Sequence, residues 1–214
     1  NETAGGGFIR NIFVEGTDIW LGTGDGLVHK RGDNTKLYTR KDGLPNRRIN
    51  HVERGPDGNL WLGTGRGLSI FDGLKFKNYY TKDGLPSNVI NDIYFDLNGD
   101  VYIATGAGVT KFNGETFVLI DPKNSVLDKM IGNAMTINKS KEGMYWFSSW
   151  AGSGVLKYDP ISILNITEKD SLPRSTIYGI VTDNNLNLWV ATGTEGLIRI
   201  TDNKIYEIYD IDNG

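Results

Sequence analysis

The chain has 214 residues, with no cysteine, 28 glycines, six prolines and a net charge of −3. That balance removes the positive footprint that nucleic-acid binding requires, and the lack of cysteine removes disulfides, thiolate metal sites and thiol nucleophiles while leaving the compartment open. Hydrophobic residues make up 38% and charged residues 23%, which excludes intrinsic disorder, and no apolar run approaches the ~20 residues that span a bilayer. Asn1 to Gly7 is polar and Gly-rich and does not read as a signal peptide.

An aromatic followed by a short apolar-Gly-Thr segment recurs at Trp20, Trp61, Tyr102, Trp146 and Trp189, with spacings of 41, 41, 44 and 43 residues. A fixed period of this size marks a solenoid or a propeller. The units run approximately over residues 8–41, 42–82, 83–125, 126–168 and 169–210 of a single domain, 1–214. The first has Ile9 and Ile12 ahead of Trp20 and the loop Gly22-Thr-Gly-Asp-Gly26 after it. The second opens with Asp42-Gly-Leu-Pro45, places Ile49 and Val52 ahead of Trp61, and continues into Gly63-Thr-Gly-Arg-Gly67. Its pairs Asp57-Gly58 and Asp72-Gly73 predict hairpins with type I′ turns. The third repeats this with Asp83-Gly-Leu-Pro86, Ile90, Ile93, Asn98-Gly99 and Asn113-Gly114, and its strands are expected at about 88–95, 100–105, 108–112 and 116–120. The fourth departs at Ser148-Ser-Trp-Ala-Gly-Ser-Gly154 and follows a longer stretch, 121–133. The fifth has Asp170-Ser-Leu-Pro173, Ile177, Ile180 and Thr192-Gly-Thr-Glu-Gly196, with a last strand over Lys204 to Tyr209.

Four short antiparallel strands cannot bury both faces of their sheet, so successive units must pack face to face around an axis. The expected fold is all-β, a β-propeller of five four-stranded antiparallel blades. Whole-blade content favours a closed five-bladed ring; an open segment of a larger propeller is the alternative. In that case the terminal faces can recruit a second copy, giving a homodimer.

The pattern Asp-Gly-Leu-Pro, Ile, Asp-x-x-Gly-x-Leu-Trp-x-Gly-Thr-x-x-Gly-Leu, Phe-Asp-Gly resembles the two-component regulator propeller repeat, most completely over Asp42 to Tyr80. The resemblance implies a periplasmic or otherwise extracytoplasmic sensor propeller of a hybrid two-component system, responding to an oligosaccharide. Such sensors usually carry many more repeats than five.

Loops between second and third strands and loops between units share one face, where propellers generally bind ligands. Residues that break the repeat there are the binding candidates. Trp150 stands where other copies keep small residues, and either stacks on a sugar or anchors a partner, or plugs a gap beside 121–133. Arg47, Arg48 and Arg66 should meet on the second blade and can grip a carboxylate or sulfate, or form a solvated basic rim. Asp25, Arg174 and Glu195 vary at equivalent places and complete the rim. Asn50, Asn91, Asp92, Met135 and Tyr178 lie on innermost strands and are candidates to line the channel.

No catalytic residue, metal site or cofactor is expected. His29 and His51 sit in different repeats without clustered carboxylates and read as structural or surface residues. The Gly clusters lack a following helix for phosphate, and Asp96-Leu-Asn-Gly and Asp183-Asn-Asn-Leu-Asn lack the remaining ligands of a calcium loop. The expected role is non-catalytic binding of a small-molecule or oligosaccharide ligand, or of a neighbouring protein domain, without nucleic-acid or membrane contact. A protein-interaction scaffold of a surface or secretion system is one alternative. A five-bladed glycoside hydrolase or lyase is another, weakened because Asp92 and Glu53 are the acidic residues on the expected channel wall.

Overall fold

The computed structural model describes residues 8–120, 133–150, 154–158, 163–202 and 204–210. They form five four-stranded sheets, each an antiparallel meander in chain order. The first comprises β1 (Ile9–Glu15), β2 (Asp18–Thr23), β3 (Leu27–Arg31) and β4 (Asn34–Tyr38), and the second β5 (Ile49–Arg54), β6 (Leu60–Thr64), β7 (Gly67–Phe71) and β8 (Phe76–Tyr79). The third comprises β9 (Ile90–Phe95), β10 (Val101–Thr105), β11 (Gly108–Phe112) and β12 (Phe117–Leu119). The fourth has β13 (Ala134–Lys139), β14 (Tyr145–Ser149), β15 (Val155–Tyr158) and β16 (Ile163–Ile166), and the fifth β17 (Ile177–Thr182), β18 (Leu188–Thr192), β19 (Leu197–Thr201) and β20 (Lys204–Tyr209). No helix among the described residues is long and apolar enough to cross a membrane.

The chain divides into two compact units, residues 1–106 with 110–118, and residues 107–109 with 119–214. In the first unit, the second strands Leu60–Thr64 and Val101–Thr105 are buried at every position, because both faces of these sheets are covered and alternation has no solvent side to serve. One core cluster joins Trp20 and Tyr38 of the first sheet to Ile49, Val52, Leu60 and Leu62 of the second. The next joins Trp61 and Leu68 to Ile90, Ile93, Val101 and Ile103 of the third. In the second unit Trp146 and Val155 pack on Ile177, Leu188 and Val190 in the same way.

First strands explain the three-residue spacing of their apolar positions. Each carries a register shift near its start, as between Ile49 and His51 opposite Thr64 and Gly63, and an inserted residue turns a two-residue period into three. Ile49 and Val52 therefore both face the core. The turn type differs from the sequence expectation. Asp57 and Asn98 keep negative φ, and only Gly58 (φ 77) and Gly99 (φ 88) are left-handed; with Gly58 N–H donating to Gly55 C=O at 3.0 Å this is a type I turn closed by a glycine bulge. In each of the hairpins at Gly73 (φ 95) and Gly114 (φ 98) the glycine alone takes positive φ, whereas a type I′ turn needs it at both central residues.

Candidate functional site

The Asp-Gly-Leu-Pro segments build one wall of the loop face. Residues Arg40–Asp42 make a 3₁₀ turn ending at left-handed Gly43 (φ 110), and Asp42 Oδ2 accepts the Thr39 N–H at 2.7 Å. Those backbone hydrogen bonds from Thr39 are the main reason the Asp42 carboxyl sits below its usual range. Asp83 repeats the contact with the Tyr80 N–H at 2.9 Å, and Asp170 with the Thr167 N–H at 3.0 Å. The leucine that follows is no turn filler: Leu44, Leu85 and Leu172 are each buried in an inter-sheet core.

The Gly-rich loops build the other wall and are clamped to the strand entries through their backbone, with Ser175 Oγ also accepting the Gly193 and Thr194 N–H groups in the fifth sheet. Gly24 N–H donates to Phe8 C=O, Gly65 to Arg48, Gly106 to Val89 and Gly193 to Thr176, at 2.9 to 3.2 Å. Trp150 N–H makes the same bond to Asn133 C=O at 2.9 Å. Trp150 thus occupies the glycine position of the repeat with an unchanged backbone contact, and its side chain is additional. It is 42% exposed. Residues 151–153 and 121–132, which the sequence reading set beside it, lie outside the described residues. At the tips, the N–H groups of Asp25, Arg66 and Glu195 donate to Thr23, Thr64 and Thr192 Oγ1 at 3.0 to 3.1 Å, which presents three different side chains from one fixed backbone.

The arginines of the second sheet are sorted into different tasks. The strand-entry and Gly-rich loops meet, but Arg47 reaches Asp25 of the first sheet at 3.6 Å, and Arg48 Nε donates to Asn50 Oδ1 at 2.8 Å. Burial, then the charge of Arg10, lower the Arg48 pKa. Arg66 instead lines a groove of about 580 Å³ with Arg40, Lys82, Tyr80, Asn78 and Asn88. In the second unit Arg174 lies 3.7 Å from Glu168, and Glu195 is exposed.

The innermost-strand candidates divide likewise. Asn50 and Asp92 are tied to adjacent sheets: Asn50 Nδ2 donates to Ile90 C=O at 2.8 Å, and Asp92 Oδ1 sits 2.7 Å from His51 Nδ1. Asn91 and Met135 are half-buried, and Tyr178 is exposed, its ring against Gly193. The reading of His51 as a residue without carboxylates nearby is corrected here. Its Nε2 also lies 3.4 Å from Glu53 Oε2, at ion-pair distance but without hydrogen-bond alignment. Burial pushes the imidazole pKa down, yet the hydrogen bond and charge of Asp92, then the nearby Glu53 carboxylate, outweigh it and raise the value to about 9. His51 is an imidazolium at neutral pH and has no lone pair for general base work. The signal was present in the spacing, since Asp92 stands one repeat after His51. His29 stacks on Trp20 at 3.8 Å between centroids and contacts Asp18 at 2.5 Å. Among the described residues no group of three or more His, Cys, Asp or Glu is placed to hold a metal ion.

Residues 43–66 match the family model described as two component regulator propeller. No curated protein matches the chain. Among solved structures, the extracellular domain of the proposed hybrid two component system BT4673 from B. thetaiotaomicron aligns with a TM-score of 0.79 at 17% identity, over 98% of this chain and 32% of that one. PorZ, a surface component of the type-IX secretion system of Porphyromonas gingivalis, aligns with a TM-score of 0.70 at 18% identity, over 99% and 36%. Virginiamycin B lyase from Staphylococcus aureus aligns with a TM-score of 0.70 at 16% identity, over 94% and 68%. This chain therefore spans about a third of the length of the extracellular domain it matches, and at these identities the likeness is one of fold.

Proposed function

Since this chain carries the two-component regulator propeller repeat, we propose that it is a non-catalytic, extracytoplasmic input module of a two-component signalling protein. Its ligand, an oligosaccharide, docks on the face made by the Gly-rich loops and the Asp-Gly-Leu-Pro turns. The observation that carries the reading is Trp150. The same backbone clamp forms in five loops whether the residue is glycine or tryptophan, so the indole is not needed for it, and a half-exposed aromatic suits a pyranose face. A glycan array, followed by calorimetry on each hit, tests this. Trp150→Ala should weaken the hit by about 1–3 kcal/mol with little change in melting temperature. A large fall in melting temperature with unchanged binding would make Trp150 a packing residue and defeat the reading.

The five sheets are read as propeller blades. A closed ring was the favoured expectation; one observation supports the alternative, a segment of a longer propeller. Ile9 and Ile12 are 56% and 58% exposed, whereas their counterparts Ile49 and Val52 in the next sheet are 0% and 2%. A soluble protein rarely leaves such a face bare, and a further repeat of the same kind is the surface that covers it elsewhere in the first unit.

A further inference from the structure

We propose that the groove between the turns entering the second and third sheets binds an acidic oligosaccharide, one whose sugars carry carboxylate or sulfate groups. Three cations of separate origin converge there: Arg40 from the turn before β5, Arg66 from the tip of the β6–β7 loop, and Lys82 from the turn before β9. No carboxylate lines the groove. The acidic residues beside Arg40 and Lys82 in sequence, Asp42 and Asp83, are bonded back into their own turns. Among the described residues Arg31, Arg47, Arg54, Lys111, Arg174 and Arg199 each have a carboxylate partner, and none is recorded for Arg40, Arg66 or Lys82. In a chain with a net charge of −3, three uncompensated cations around one concavity raise the local concentration of anions.

The remaining wall selects a sugar over a bare anion. The Tyr80 ring is fixed against Gly67, where even a Cβ would come within 3.1 Å of its edge, and Lys82 Nζ stands over it at 5.7 Å from the centroid, so ring and ammonium together offer an acidic pyranose a flat and a charged partner. Asn88 Oδ1 accepts the Thr81 N–H at 3.0 Å, which orients the amide so that its NH₂ group is left to donate to a hydroxyl. The volume of about 580 Å³ falls within the range of small-molecule sites. Arg66 was grouped with Arg47 and Arg48 on sequence; the geometry gives it Arg40 and Lys82 as companions instead.

The assignment rests on the sensor reading for the biological use of this face and deepens it by naming the ligand class. Calorimetry with an oligogalacturonide, a heparin-derived hexasaccharide, cellohexaose and a polyglutamate peptide tests it, the first two separating carboxylate from sulfate. At least one acidic oligosaccharide should bind, cellohexaose should not, and raising the salt concentration should weaken binding because the cations are exposed. Replacing any one of the three cations by alanine should weaken binding about tenfold and replacing all three about a hundredfold or more, while the distant Lys30→Ala leaves it unchanged. Circular dichroism of each variant checks the fold, and Arg66→Lys, which keeps the charge but not the fork, should fall between wild type and alanine. Failure of both acidic oligosaccharides to bind, equal binding by the triple variant, or equal affinity for polyglutamate would overturn the proposal. A neutral glycan that binds and is lost in Trp150→Ala would sink this inference while leaving the sensor reading intact.

Discussion

Leu186 shows what the repeat asks of one position. It stands where three other copies place Gly58, Gly99 and Gly143, all with positive φ, and it holds φ 68 itself. A left-handed conformation costs an L-residue about 1–2 kcal/mol, and Leu has no short polar side chain to offset it. Leu186→Gly should therefore stabilise the protein by about 1 kcal/mol in urea denaturation, since relief of strain outweighs the added entropy of the unfolded chain. The same glycine at Asn185, whose φ is not positive, should destabilise. His51 gives a second test. Its pKa is raised from 6.5 to about 9 in the folded state, so its contribution is fully present below pH 6.5 and is lost as pH rises through about 9. Asp92→Ala strands a buried cation and should cost about 3 kcal/mol at pH 6; thermal melts should show the gap to wild type narrowing toward pH 9 and above. A gap independent of pH would mean that packing, not charge, is what Asp92 supplies.

Whole strands were far more legible than contacts. The third copy's strands, expected at 88–95, 100–105, 108–112 and 116–120, are found at Ile90–Phe95, Val101–Thr105, Gly108–Phe112 and Phe117–Leu119, because β-branched and aromatic runs bounded by Gly and Asn leave few choices. The turn type was less legible, since Asp-Gly fits both a type I′ turn and a type I turn with a glycine bulge, and the difference lies in how many residues the hairpin encloses. The His51–Asp92 contact left only a spacing in the sequence. It joins residues one repeat apart, and only the stacking of one first strand on the next brings them together. The burial of the turn leucines is hidden for a related reason: a motif rich in turn formers masks a core residue. Leu85→Ala should cost about 2–5 kcal/mol, as much as a mid-strand core truncation, and should reduce protection of both the second and third sheets in hydrogen exchange, because it sits in the cluster that joins them. An effect confined to the third sheet would place it outside that joint core.

For the molecule as a whole, the exposed face of β1 decides between the two propeller readings. Ile12→Asp puts a charge on that face. If a repeat from a longer protein is its natural cover, the isolated chain should keep its unfolding free energy within about 0.5 kcal/mol of wild type, as surface substitutions do, and any dimer seen in light scattering should dissociate. If the first sheet is covered by the chain's own fifth sheet in solution, the same substitution should cost several kcal/mol and leave a monomer that unfolds early. The two outcomes differ in stability, and wherever the wild type is a dimer they differ in the change of mass as well.

The clamps between Gly-rich loops and strand entries all run through backbone N–H and C=O groups, and three of the tips add a bond from their own N–H to a threonine hydroxyl. Every amino acid but one supplies that N–H. The loop tips are thus sockets that accept almost any side chain without altering the frame that holds them. Aspartate, arginine and glutamate already occupy three of them, and tryptophan has replaced a glycine in a neighbouring one. Specificity on this face can be rewritten one residue at a time, and proline is the residue it cannot take.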